Sequence, residues 1–315
     1  MPRSWWIANA PRLWALWAAS RPSQLALVGL LYVMGVGMTT VGTPLVGSEA
    51  TAEGLAGSFQ TQVAAGGVAL VPVAVAIHYA NEYADVDTDA RTERTPFSGG
   101  SGALVETGLS ASFLRRALVV AGVLAIGVGL GGLVTGVLSP LAVGLLAVGF
   151  VAGIAYSLPP IALVRRGVGE PINMVLGGLV LPVYGMAVVA RPTGIAVLAV
   201  VPFTLVVGCN LLAVHWPDRR ADAAVGKRTL AVRWPPTRIR QLYAGFAVGA
   251  AAIAVGLWWY DVLPAVVTLA HLSPVPFLGW GWITLTRRRS PLPAVAAMVV
   301  LAATLTLAWW WAGIG

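Results

Sequence analysis

The chain has 315 residues, of which 58% are hydrophobic and only 10% are charged, and its mean hydropathy is +0.82. Charged residues make up about a quarter of an ordinary soluble domain, so this composition excludes a soluble globular protein, which needs a charged surface. It predicts an all-α, polytopic membrane protein.

Nine apolar runs are long enough to cross a bilayer core about 30 Å thick, which takes about 20 helical residues. The runs cover residues 22–41, 60–81, 113–135, 137–157, 170–189, 193–214, 241–260, 262–285 and 291–312. Residues 1–20 combine tryptophans with arginines, which is typical of an interfacial helix. We therefore predict one domain over residues 1–315, with a bundle of nine transmembrane helices and an interfacial segment at residues 1–20.

Nearly all basic residues lie in segments that nine spans would place on one side of the membrane. Only Arg191 lies in a segment of the opposite side. The positive-inside rule then places the N-terminus and these loops in the cytoplasm, below the inner or plasma membrane of a cell. Topology and anionic lipid thus explain the net charge of +8, and no nucleic-acid partner is expected.

Two acidic clusters follow the second and sixth spans. Asn81, Asp85 and Asp89 are spaced i, i+4, i+8 and project from nearly one face of a helix, and Asp218 and Asp222 repeat the spacing. The offset is the same for both pairs (218 − 85 = 133 and 222 − 89 = 133). Equal offsets with one orientation favour a parallel internal repeat whose two halves share one site.

The two clusters have the chemistry of a divalent cation site. Carboxylate and amide oxygens are ligands of Mg²⁺, which also keeps several waters and bridges to substrate phosphates. Carboxylates packed this closely repel one another unless a cation lies among them. The alternative is two solvated loop starts without an ion. The acids lie at span ends and not near mid-membrane, where transporters place them, so a secondary transporter is disfavoured.

Basic residues accompany both clusters. Lys227, the only lysine in the chain, follows the second cluster together with Arg228, and both could neutralise the oxygens of a diphosphate. Arg94 begins a glycine-rich loop, residues 94–102, that could close over a substrate, although its spacing does not match a nucleotide-binding P-loop. The alternative for these residues is a purely topological charge.

A third group links the fourth and fifth spans. It contains Tyr156, Arg166, Glu170 and Asn173. A carboxylate that enters an apolar span needs a partner, and Arg166 is the nearby candidate for Glu170. A structural ion pair and an interfacial tyrosine are the alternatives to a functional role.

These motifs resemble those of the UbiA superfamily of membrane-embedded prenyltransferases, which carries N-D-x-x-D-x-x-x-D and a later D-x-x-x-D. Asn81, Asp85 and Asp89 match the first motif, and Asp218 and Asp222 match the second. The resemblance covers essentially the whole chain. It implies a nine-helix bundle around a central cavity that opens laterally to lipid.

The resemblance also implies the chemistry. Two Mg²⁺ ions, held by the residues of both motifs, would bind the diphosphate of an allylic polyprenyl diphosphate. The four aspartates and Lys227 would then be catalytic, with Asn81, Lys227, Arg228 and Arg94 on the diphosphate. Ionisation would give an allylic cation, which a small aromatic acceptor captures beside the acceptor-binding or cation-stabilising residues: Tyr156, Arg166, Glu170 and Asn173.

Within the superfamily, the segments around Tyr156, Glu170 and Lys227 look most like the branch that prenylates 1,4-dihydroxy-2-naphthoate in menaquinone synthesis. Two positions depart from the usual pattern: Glu82 replaces an aspartate, and His215 lies where that branch often carries asparagines and an arginine. The acceptor therefore stays open between this naphthoate, 4-hydroxybenzoate and a glycerol-phosphate lipid. A membrane terpene cyclase shares the same core.

Overall fold

The computed structural model describes residues 3–47, 56–89 and 100–314. Across these ranges the chain is built from helices, connected by short turns. They are α1 (Arg3–Asn9), α2 (Pro11–Ala19), α3 (Pro22–Met38), α4 (Phe59–Ala84), α5 (Val86–Asp89), α6 (Ala103–Thr107), α7 (Ala111–Val134), α8 (Pro140–Ser157), α9 (Gly169–Val175), α10 (Leu181–Val189), α11 (Gly194–Ala224), α12 (Leu230–Arg233), α13 (Pro236–Trp259), α14 (Ala265–Ala270), α15 (Val275–Thr284) and α16 (Leu292–Ala312). A π-helical turn, Leu176–Val180, joins α9 to α10.

Nine helical segments within the described ranges are long and apolar enough to cross a membrane, which confirms the predicted all-α membrane fold. Eight agree with the sequence prediction to within five residues at each end, and the sixth, Gly194–Ala224, ends ten residues later than predicted (224 − 214 = 10). The predicted runs 60–81 and 193–214 became the longer helices Phe59–Ala84 and Gly194–Ala224. A run predicted from hydropathy ends where polar residues begin. The helical hydrogen bonds continue past that point, so Asn81, Asp218 and Asp222 still lie on the helices.

Side-chain caps begin three of these helices. The Oγ atoms of Ser58 and Ser139 accept hydrogen bonds from the backbone N–H of Thr61 and Ala142, at 3.3 and 3.0 Å. Thr193 begins α11 in the same way. Such caps satisfy N–H groups that the first helical turn leaves unpaired, so these polar residues start the helices that frame the site.

Small residues let α3 and α10 approach backbone to backbone. A Cβ added to Gly35 would lie 2.0 Å from the carbonyl oxygen of Pro182, and one added to Gly185 would lie 2.4 Å from that of Tyr32. Close approach through small residues is the usual way in which membrane helices gain van der Waals contact. This contact fixes α10 as one wall of the bundle interior.

The N-terminal segment consists of two short helices where one interfacial helix was expected. The chain breaks at Ala10, ahead of Pro11, because proline disfavours helical geometry in the residue before it. Trp5, Trp6 and Trp17 remain exposed. Helix α2 packs on α4 and α6, so the segment lies against the end of α4 that carries the first acidic cluster.

Candidate active site

The first cluster lies where α4 ends. Asp85 closes the last turn, with its N–H donating to the Asn81 carbonyl at 2.9 Å. The Asp89 N–H then donates to the Asp85 carbonyl at 2.8 Å. The i, i+4 spacing therefore persists through the break between α4 and α5 and keeps the three residues near one face, as the sequence predicted.

The second cluster lies within α11, which runs beyond Asp222 to Ala224. Asp218 is half-buried, and Asp222, one turn later, is buried. Gly226 then turns the chain with φ +79, in the left-handed region that favours glycine. This turn directs Lys227 back over the end of α11.

Lys227 joins the two clusters. Its Nζ lies 2.9 Å from Oδ1 of Asp85 and 3.3 Å from Oδ1 of Asp222. The backbone N–H of Lys227 also donates to the Asp222 carbonyl, at 2.9 Å. One ammonium group therefore lies between carboxylates that come from α4 and α11, 137 residues apart in sequence (222 − 85 = 137).

The charges shift the pKa values of the groups that lie beyond the spans. Burial, together with the charges of Glu82 and Asp85, raises the pKa of Asp89 to about 7. Burial disfavours the charged form of Lys227, but Asp85 and Asp222 outweigh it and raise the pKa of the ammonium. Carboxylates therefore dominate the electrostatics of this region.

The Glu82 side chain contacts residues other than Lys227. Its carboxylate accepts hydrogen bonds from Arg21 Nε at 2.8 Å and from the Ser101 N–H at 2.9 Å, and the Ser101 hydroxyl also binds it. Arg21 precedes α3 and is one of the basic residues that the topology predicted from sequence places on the cytoplasmic side. Glu82 thus ties the start of α3 and the segment after the first cluster to the end of α4.

Two further hydrogen bonds involve α4 at Asn81 and one turn before it. The Ser157 hydroxyl, at the end of α8, donates to Oδ1 of Asn81. His78, one turn earlier on α4, donates from Nδ1 to the Ser20 carbonyl at 2.7 Å. Serine and histidine at these places carry no motif of their own, and only the fold brings them to the site.

Glu170 has different partners from the predicted one. Its Oε1 accepts a hydrogen bond from the Leu230 N–H at 2.5 Å and lies 3.2 Å from Nδ1 of His215. Arg166, the predicted partner, donates instead to the carbonyls of Ile161 and Pro160, at 2.6 and 3.1 Å. The prediction of an Arg166–Glu170 pair was wrong because the turn between them sends the guanidinium back onto its own loop.

The remaining predicted residues occupy different places. Tyr156 and Asn173 line the cavity described next. Arg228 is exposed, and its backbone N–H donates to the Val164 carbonyl at 3.1 Å. Arg94 lies outside the described residues.

An apolar cavity of about 180 Å³ begins beside the first cluster. Polar side chains lie at one end, where Asn81, Tyr156, Asn173 and His78 meet, and the other lining residues are apolar apart from Tyr184. The walls come from α3, α4, α8 and the segment from α9 to α10. The predicted central cavity thus lies among the first, second, fourth and fifth spans, and α11, which is packed into a continuous hydrophobic core, does not line it.

The profile of the UbiA prenyltransferase family matches residues 40–305. The chain belongs to this family. It is therefore a prenyltransferase, built as a multi-pass membrane protein.

Solved structures of UbiA proteins share the fold. A UbiA homolog from Archaeoglobus fulgidus, bound to GPP and Mg²⁺, is 15% identical, with a TM-score of 0.65 over 96% of this chain and 100% of that one. A structure described for digeranylgeranylglyceryl phosphate synthase is 10% identical, with a TM-score of 0.65 over 96% and 99%. The apo UbiA homolog from Aeropyrum pernix K1 is 14% identical, with a TM-score of 0.57 over 90% and 97%. No curated protein matches the chain by sequence.

The oxygen donors of this UbiA chain suit a hard divalent cation. Among residues 3–47, 56–89 and 100–314, no three acidic, histidine or cysteine side chains converge closely enough to form a metal cage. Mg²⁺ does not require such a cage, because it is held by one or two carboxylates together with waters and substrate phosphates. Asp85 and Asp222 face one cationic group already, so the chemistry of the donor set fits the ion.

Proposed function

We propose that this protein transfers a polyprenyl group from an allylic prenyl diphosphate to a small aromatic acceptor such as 1,4-dihydroxy-2-naphthoate, with Mg²⁺ as cofactor. One observation carries the proposal. Lys227 links carboxylates of both acidic clusters beside the polar end of an otherwise apolar cavity. A carboxylate site that can hold Mg²⁺, and through it a diphosphate, next to an apolar cavity matches a substrate with a diphosphate head and a hydrocarbon tail.

The residues of both clusters would hold the ions and the diphosphate. Asn81, Asp85, Asp89, Asp218 and Asp222 supply oxygen ligands for Mg²⁺, which we propose binds as two ions. The bound ions supply neutralisation of the negative charge that develops on the diphosphate leaving group.

Basic side chains complete the diphosphate site. Lys227 is held between carboxylates and, with Mg²⁺ bound to them, would donate to a phosphate oxygen of the substrate. We propose that Arg228 and Arg94 also contact the diphosphate. The bond between the allylic carbon and the diphosphate oxygen breaks, and its electron pair leaves with the diphosphate.

The polar end of the cavity would receive the acceptor. Tyr156 and Asn173 line it next to Asn81, so an aromatic ring placed there lies between the diphosphate site and the apolar walls. The Tyr156 ring face can stabilise an allylic cation. Apolar walls keep water away from that cation until the acceptor forms the new carbon bond and loses its proton.

We propose that Glu170 and Arg166 support the site by holding loops and do not themselves contact the acceptor. Tyr156 packs on Gly169, next to Glu170. Because Oε1 of Glu170 holds the Leu230 N–H, this residue supports the loop that carries Lys227. Arg166 stabilises its own loop through two backbone carbonyls.

We also propose that the site faces the cytoplasm. The segments rich in arginine and the acidic clusters occupy the same end of the spans by sequence order, and the positive-inside rule assigns such an end to the cytoplasm. Labelling of single cysteines introduced near Arg238 and near Arg191, in sealed vesicles of known orientation, tests this assignment.

Turnover of a labelled prenyl diphosphate by purified protein with Mg²⁺ tests the reaction. Asp85→Asn and Asp222→Asn should each lower kcat/KM by about 100-fold, the usual size of losing one charge-stabilising group. Asp87→Asn is the matched control, because Asp87 is exposed on the same short helix as Asp89. Full Mg²⁺-dependent activity in both folded variants would overturn the proposal.

The acceptor has a second candidate. One structure that shares the fold is described for digeranylgeranylglyceryl phosphate synthase, which favours a glycerol-phosphate lipid as the alternative. Mass spectrometry of products from a panel of acceptors separates the candidates. A cyclised hydrocarbon formed without any acceptor would indicate a terpene cyclase instead.

A further inference from the structure

The cavity extends along α4 away from the acidic clusters. Its lining residues on this helix begin at Asn81 and end at Leu70. At 1.5 Å rise per residue, the eleven residues between these positions span about 16 Å. A prenyl chain whose diphosphate is held at the clusters, as the proposed function requires, must therefore lie along this face of α4.

Tyr184 closes the far end. Its hydroxyl donates to the Gly66 carbonyl at 2.7 Å, and Gly66 lies one turn beyond Leu70 on α4. The Tyr184 side chain is buried, and its ring lies 5.7 Å from the ring of Tyr32. A ring held by a hydrogen bond on one side and by an aromatic neighbour on the other forms a fixed floor.

Two glycines on the walls are not explained by helix packing. A Cβ added to Gly149 on α8, or to Gly177 in the π-helical turn, would meet no heavy atom within 4 Å, although both residues line the cavity. Nearby glycines differ. A Cβ on Gly153 would lie 2.5 Å from Ile77, and one on Gly178 would lie 2.6 Å from the Thr204 backbone.

We propose that Gly149 and Gly177, above the floor formed by Tyr184, set the width and depth of the prenyl channel and thereby select the length of the donor. Hydrogen atoms at these two positions leave space that a side chain would fill. The π-helical turn supports this role, because such turns occur frequently at functional sites. The inference rests on the proposed function, since it assumes that the apolar tail of a prenyl diphosphate enters this cavity.

Larger residues at the two glycines test the inference. Gly149→Leu and Gly177→Leu should each lower kcat/KM for geranylgeranyl and longer diphosphates, relative to geranyl diphosphate, by roughly tenfold or more, the scale on which pockets discriminate one alkyl group. Gly144→Leu is the matched control. Gly144 lies on the same helix and also faces open space, but it does not line the cavity.

A binding measurement separates this inference from the proposed reaction. Stabilisation of purified protein against heating, by geranyl or geranylgeranyl diphosphate with Mg²⁺, reports donor length without turnover. Gly149→Ala and Gly177→Ala serve as milder variants should the leucine variants fail to fold, and they should shift the same ratio in the same direction.

Unchanged length preference in the variants at both glycines, with wild-type donor binding, would overturn the inference while leaving prenyl transfer intact. Length-dependent donor binding without product from any acceptor would instead overturn the proposed reaction and retain the inference.

Discussion

Replacing Lys227 with methionine removes the only cation that the described residues place between Asp85 and Asp222. Loss of one partner from a buried ion pair destabilises a protein by about 3–5 kcal/mol, because the remaining charge is left uncompensated. Here Asp222 is 5% exposed, but Asp85 is 24% exposed and keeps some hydration. We therefore expect a loss near the lower limit, about 3 kcal/mol without Mg²⁺.

The assay is thermal unfolding of the detergent-purified protein with and without Mg²⁺. Without the ion, Lys227→Met should lower Tm by on the order of 5–10 °C. Added Mg²⁺ should shrink this deficit, because the ion compensates the carboxylates that the variant leaves without a cation and therefore stabilises the folded variant more than the folded wild type. The same variant should lower kcat/KM for the prenyl diphosphate by about 100-fold.

Two controls make the result specific. Lys227→Arg keeps the charge and should retain most of the stability, whereas Arg238→Met removes an exposed cation and should change neither quantity. If Lys227→Met unfolds at the wild-type temperature without Mg²⁺ and keeps its kcat/KM, the ammonium does not hold the clusters together, and the reasoning is refuted.

Three further predictions concern residues near Lys227, Asp85 and Asp222. Glu170→Ala should raise KM for the prenyl diphosphate by roughly tenfold, and it should add little to the effect of Lys227→Met, because the effects of substitutions at coupled residues are not additive. A rise in the acceptor KM alone would contradict this. Since the pKa of Asp89 is raised to about 7 by burial and neighbouring acids, Mg²⁺ binding should release a proton near pH 7 and weaken as pH falls below it; calorimetry in buffers of different ionisation enthalpy measures the release, which Asp89→Asn should abolish. Gly100→Ala should weaken Mg²⁺ binding, because its Cβ would lie 1.8 Å from Oδ2 of Asp89, whereas Gly108→Ala, at an equally positive φ with open space, should not.

Hydropathy predicted the spans well because membrane insertion depends on a local property, the apolar length of each run. It ended the run three residues before the end of α4 (84 − 81 = 3) and ten before the end of α11 (224 − 214 = 10), because hydrogen bonding extends these helices through polar residues. The break at Ala10 was readable from Pro11, since the residue before proline avoids helical geometry.

The candidate site was likewise predictable only in part. The spacing of the acids predicted that Asp85 and Asp222 would come close, and the structure places both within 3.3 Å of one ammonium group. The partners of Glu82 and Glu170 were not predictable, because Arg21 and His215 lie 61 and 45 residues away in sequence. Contacts at such separations follow from helix packing, for which a single sequence gives no local signal.

The equal offset of the two acidic motifs suggests two equivalent halves, yet the helices that carry the motifs, α4 and α11, have different surroundings. Helix α4 borders the cavity along three turns, from Leu70 to Asn81. Helix α11 is surrounded by the largest hydrophobic core and contributes no lining residue to that cavity. We therefore expect α4, together with α8 and the segment from α9 to α10, to hold the hydrocarbon, and the end of α11 to contribute charge through Asp222 and Lys227. It follows that substitutions along the cavity face of α4 should change which donor is used, whereas substitutions at the end of α11 should change Mg²⁺ and diphosphate affinity for all donors alike.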